Sequence, residues 1–116
     1  MNIDDLDCHD AQILSVTENT QDRFVDFLLD FPTNWDENIF ELRILRFTEV
    51  ISYNIDQMPF SGKPAILEII NLGQVNKSWG SERNYFEVIR TKIEIQTNAG
   101  NRIIEYKDCS LLIPST

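Results

Sequence analysis

Residues 23–31 read Arg-Phe-Val-Asp-Phe-Leu-Leu-Asp-Phe, and the odd positions Val25, Phe27, Leu29 and Phe31 form an unbroken apolar row. A side-chain period of two is what a half-buried strand requires, whereas a helix would scatter that row around its circumference. The even positions, Phe24, Asp26, Leu28 and Asp30, make a mixed second face. Upstream, residues 12–18 (Gln-Ile-Leu-Ser-Val-Thr-Glu) are aliphatic and β-branched, and Asn19-Thr20-Gln21-Asp22 is a turn sequence. The two segments therefore form a hairpin.

The same grammar continues along the chain. Residues 39–47 alternate, with Phe40, Leu42 and Ile44 on one face and Glu41 and Arg43 on the other. Beyond Arg46, Phe47 and Val50 break the alternation, which predicts a bulge or bend. Residues 50–55 make a shorter strand, and Pro59, Gly62 and Pro64 make residues 57–64 an irregular connection. Residues 65–72 fit two patterns: Pro64 and Gly73 could bracket a two-turn helix, yet short length and isoleucine content favour a doubly buried strand. Residues 73–84 are polar and expected to loop around Trp79. Residues 85–97 are rich in β-formers with a change of parity, Asn98-Ala-Gly-Asn101 is a turn, and residues 102–113 run back. The expectation is one domain, residues 1–116, mostly β, or α+β if residues 65–72 supply the one short helix. Its six to seven strands would form a single antiparallel sheet, rolled or folded into a sandwich.

Charge and composition narrow the function classes. With 19 acidic and 10 basic side chains the formal net charge is -9, and the bases are dispersed among glutamates, so nucleic acid is not an expected partner. A hydrophobic fraction of 42% supplies a core that a disordered acidic tail would lack. No apolar run approaches a membrane span, and the acidic start Met1-Asn-Ile-Asp-Asp-Leu-Asp7 does not resemble a signal peptide, so a cytoplasmic address is expected. There the two cysteines, Cys8 and Cys109, are expected as reduced thiols.

Catalytic and metal constellations are sparse. His9 is the single histidine, there is no Cys-x-x-Cys, and neighbours Cys8, His9 and Asp10 alternate in direction on an extended chain; no metal or cofactor is expected. A hydrolytic pair would need His9 within hydrogen-bond reach of Cys109 or Ser110. Carboxylate pairs such as Asp26/Asp30 and Asp36/Glu37 follow from the acid content alone, and the four glycines lie too far apart for a phosphate loop. No catalytic residue is assigned, and an enzyme is not expected. Trp35, among Asp36 and Glu37, and Trp79, in the polar stretch, are the candidates for binding: each either tucks beneath its loop or anchors a partner.

The order Leu6-Asp-Cys-His9-Asp10-Ala11-Gln-Ile13-Leu-Ser-Val16 resembles the opening His-Asp-Ala/Ser-x-Ile/Leu-x-x-Ile/Val signature of small bacterial proteins grouped with polymorphic-toxin immunity proteins. Leu45-Arg-Phe47-Thr-Glu-Val50-Ile51 and the closing segments 93–96, 98–101 and 104–109 are similar to later elements of those families. The resemblance implies a mostly β, non-enzymatic protein-binding domain that neutralises a basic protein such as a toxin, with His9, Asp10 and Ala11 serving the fold. Two other functions compete with it: a β-roll holding a small ligand, and a purely structural or oligomerising role. A homodimer through an edge strand, residues 93–96 or 66–72, is a further expectation.

Overall fold

The computed structural model describes residues 1–114. Among them a 3-10 turn, Ile3–Asp5, precedes eight strands: β1 (Gln12–Asn19), β2 (Phe24–Asn34), β3 (Ile39–Thr48), β4 (Ser52–Gln57), β5 (Ile66–Ser81), β6 (Asn84–Thr97), β7 (Gly100–Tyr106) and β8 (Asp108–Leu112). They make two four-stranded antiparallel sheets, ordered β1-β2-β3-β8 and β4-β7-β6-β5. The mostly β expectation holds, but the single sheet of six to seven strands does not. Residues 102–113, which read as one strand, are two, because the chain changes sheets at Lys107.

Two strands turn that corner together. β3 passes into β4 through Glu49, whose φ of 48° lies in the left-handed region, and this is the bend expected beyond Arg46. Beside it β7 passes into β8, and Lys107 N donates to Thr48 O at 3.0 Å while Ile51 N donates to Glu105 O at 3.0 Å. Glu49 gathers Arg23 at 3.5 Å, Lys107 at 3.4 Å and Arg90 at 4.0 Å around its carboxylate. A second seam joins the sheets where β1 starts: Gln12 bridges Ala65, and Ile13 N donates to Pro64 O at 2.8 Å. Strands that switch sheets and a seam opposite them give the sandwich its rolled form.

Pairing decides which face of each strand is buried. Val25, Phe27 and Leu29 of β2 lie opposite Phe47, Leu45 and Arg43 of β3, and residues directly opposite share a face. Leu45 and Phe47 therefore enter the core, and Phe40, Leu42 and Ile44, the row most apolar in sequence, lie on the outer face. Phe27 packs edge-on against Phe47 at 5.6 Å and Tyr53 at 5.7 Å, and Phe47 tilts against Tyr106 at 4.8 Å. Each fully buried phenylalanine contributes about 1.5–3 kcal/mol relative to exposure. On the outer face Arg46 bonds both Asp26 oxygens, at 2.8 and 2.9 Å, over the Phe24 ring.

Residues 66–72 are strand, not helix, and open the longest strand among the described residues. They are not buried on both faces: Leu67 and Leu72 are half exposed, because this end of β5 is an edge of its sheet. The expected polar loop at residues 73–84 is strand as well: β5 and β6 stay paired from Gly73 with Lys92 out to Ser81 with Asn84. β7 accompanies β6 only from Thr91 inward, so the hairpin beyond that point is a two-stranded arm. Gly80, with φ of 108°, closes it, since a Cβ there would overlap the Asn84 carbonyl. The arm helps to stretch the molecule to 58 × 31 × 24 Å.

Candidate functional site

The chain from Asp7 to Ala11 runs along the edge of β5. Asp10, with φ of 68°, turns its N–H onto Ile66 O at 2.8 Å, and Ile66 N donates to Ala11 O at 2.8 Å. Ala11 is completely buried in the core. His9 Nδ1 lies 2.9 Å from Leu67 O. A carbonyl only accepts, so Nδ1 carries the proton in that bond and Nε2 faces Asp10, 3.6 Å away. Asp7 completes the turn by accepting from His9 N at 3.1 Å. His9, Asp10 and Ala11 thus close the seam between the sheets.

The β2–β3 turn comes to the same place. Asn34 Oδ1 accepts from Glu37 N at 3.1 Å, Asn38 N donates to Trp35 O at 3.3 Å, and Asn38 takes a φ of 56°. That tight turn leaves Trp35 half exposed at 49%, stacked on His9 with ring centroids 6.1 Å apart and planes 24° apart. Asp36 and Glu37 beside it, and Asp7 next to His9, are exposed and make no ion pair among the described residues. The result is a small aromatic surface ringed by uncompensated carboxylates.

Trp79 lies elsewhere. It sits on the arm, opposite Phe86, twelve residues beyond Leu67 on β5. At roughly 3.3 Å per residue that is on the order of 40 Å of strand, so the two tryptophans do not form one site. Trp79 is not tucked beneath a loop: it is 47% exposed, and Phe86 opposite it is more exposed still, as are Tyr85 and Ile89 on the other face of the ribbon. Those three side chains are not among the candidates named from the sequence. Their signal was the parity change within residues 85–97, which marks where the strand leaves the sandwich.

His9 does not reach Cys109 or Ser110; its ring is held by Leu67, Asp10 and Trp35. Cys109 is buried, with Sγ donating to Met1 O at 3.4 Å, and Ser110 pairs with Arg46 across β3 and β8. Burial, then Asp7 and Cys109, push the Cys8 thiol up to about 12, and burial pushes Cys109 up as well. Both are free thiols held protonated, the reverse of an activated nucleophile. Asp26 is committed to Arg46. No group of three His, Cys, Asp or Glu among the described residues could hold a metal.

Two polar features lie outside this surface. An open cleft of about 320 Å³ at the corner is lined by apolar Phe24, Val25, Val50 and Tyr53 and by charged Glu18 and Arg23. Behind Tyr53, the buried Arg102 donates to Tyr53 OH at 2.8 Å and to Gln57 Oε1 at 2.9 Å, leaving its Nε without a partner among the described residues. Neither feature includes Trp35, Asp36, Glu37, Trp79, His9, Asp10 or Ala11.

No helix among the described residues is long and apolar enough to cross a membrane. Compared with known proteins, the sequence matches no family model and no curated protein.

Proposed function

We propose that this chain is a non-enzymatic, cytoplasmic protein-binding domain that docks a basic protein on the surface formed by Trp35, His9, Asp36 and Glu37, in the manner of an immunity protein covering a toxin. The observation that carries the reading is the half-exposed Trp35–His9 stack beside carboxylates that no cation among the described residues neutralises. An aromatic that excludes water at its centre, with like charges at the rim, is the arrangement by which an interface gains both affinity and steering. The resemblance of the His9-Asp10-Ala11 opening to toxin-immunity proteins points the same way, and the net charge of -9 favours a basic partner.

The test is co-expression with the product of the neighbouring gene, scored by rescue of cells from its toxicity and by binding of the purified pair. Wild type should protect and bind. Trp35→Ala should weaken binding by about 1–3 kcal/mol, the range of an aromatic anchor. Asp36→Lys with Glu37→Lys should slow association about tenfold at low salt. Protection and binding unchanged by all three substitutions, or no protection by the wild type, would overturn the reading.

A further inference from the structure

We infer that the β5–β6 arm is a self-association surface, on which a second copy of this chain pairs with the outer edge of β5 along residues 73–81. This face is separate from the Trp35–His9 surface and goes beyond the function proposed above.

Three observations choose the edge. First, seven cross-strand pairs, from Val75/Arg90 to Ser81/Asn84, have no third strand among the described residues, and a two-stranded ribbon is marginal in water on its own. Second, the other expected edges are closed. Residues 93–96 lie in β6, paired on both sides, and the start of β5 is covered by Asp10, His9 and an Asn71–Asp4 contact of 3.2 Å. What remains is a long strand with unpaired amides and carbonyls, the feature that invites pairing with another chain. Third, the arm is apolar where a solvated ribbon need not be. Trp79 is 47% exposed, Tyr85 60%, Phe86 67% and Ile89 58%.

Charge leaves the arm as the place where a second copy meets the least repulsion. Residues 73–92 carry four basic and two acidic side chains, whereas the rest of the chain carries six basic and seventeen acidic. Residues 72–81 contain no acid at all. Two chains of charge -9 repel over most of their surfaces, and the arm is where they can approach. Antiparallel pairing about a two-fold axis at Lys77 would set Val75 opposite Trp79 of the second copy, on the face that also carries Phe86 and Val88. Lys77 is already engaged by Glu105 at 2.7 Å, which lessens repulsion between the two lysines at the axis. With about half to two-thirds of each aromatic side chain still exposed, two arms bring about 700 Å² of aromatic surface together, the size of a weak, concentration-dependent interface.

Sedimentation velocity over a dilution series up to about 200 µM tests this, since the fraction of dimer follows mass action. The wild type should reach twice the 13.5 kDa of one chain. Trp79→Lys and Phe86→Lys each should raise the dimer dissociation constant at least about tenfold. Both residues lie outside the core, so each variant should melt within about 5 °C of wild type when monomeric. Under oxidising conditions the Lys77→Cys variant should give a disulfide-linked dimer, and the Thr33→Cys variant, altered on the remote β2–β3 hairpin, should not. A wild type that stays monomeric throughout would overturn the inference. So would a dimer indifferent to Trp79→Lys and Phe86→Lys, or cross-linking of the Thr33→Cys variant as ready as that of Lys77→Cys.

Discussion

Glu105 is 4% exposed, on a strand whose next residue, Tyr106, helps to fill the core. Burial, the largest single influence on its carboxyl, favours the neutral acid. Hydrogen bonds from Lys77 and Ser52, with the charges of Lys77 and Lys92, outweigh burial and hold the group below its ordinary value. A carboxylate whose folded pKa is depressed contributes stability above its unfolded pKa, and that contribution is lost as the pH falls through the folded value. Lys77→Met should therefore destabilise the monomer by about 1–2 kcal/mol at pH 7, the cost of leaving a buried acceptor short of its partner. In urea melts at low protein concentration the gap between variant and wild type should close below the carboxylate range. A gap that persists at pH 2–3 would place the loss in packing. None of this was legible in the sequence, where residues 77 and 105 are separated by two turns and the whole of β6.

At the scale of the element, the arm and the core strands obey the same pairing rules with different side chains. Gly80 adopts φ of 108° against the Asn84 carbonyl, so Gly80→Val cannot keep the turn. It should abolish amide-exchange protection in residues 74–90 while shifting global unfolding by less than about 1 kcal/mol, because the arm contributes little core. Loss of protection throughout β6 and β7 would show instead that the arm nucleates the sheet. Strands 12–19 and 24–34 were legible because each hides one face and shows the other, which writes a period of two into the sequence. Residues 73–84 were not, because both faces of the ribbon meet water near its base and a solvated strand is composed like a loop. In β3 the apolar row Phe40, Leu42 and Ile44 was visible, but its outward direction was set by the register with β2.

At the scale of the whole molecule, 19 acids face 10 bases, and the ion pairs engage Asp10, Asp26, Glu41, Glu49 and Glu105. The remaining carboxylates repel one another across the surface. Screening shortens that repulsion from about 30 Å at 0.01 M salt to about 8 Å at 0.15 M. The melting temperature should therefore rise by a few degrees over that range, measured by calorimetry; a fall would mean that the Glu49 corner and the other ion pairs outweigh the repulsion. The candidate site shows the same division between near and far. Trp35, Asp36 and Glu37 were legible together because they are chain neighbours. The stacking of His9 on Trp35 was not, since it exists only because the β1–β5 seam and the β2–β3 turn meet.

The order of residues alone makes this a chain of strands, strongly acidic with its bases dispersed, and sets a tryptophan among acids at a turn. Those properties are local: alternation, composition and turn chemistry act over a few residues. The tertiary structure alone decided that the strands form two sheets sharing a corner and a seam, that His9 joins Trp35, and that β5 and β6 run out into an exposed arm. Those features depend on pairing and register between distant segments, and such contacts leave no period in the chain that makes them.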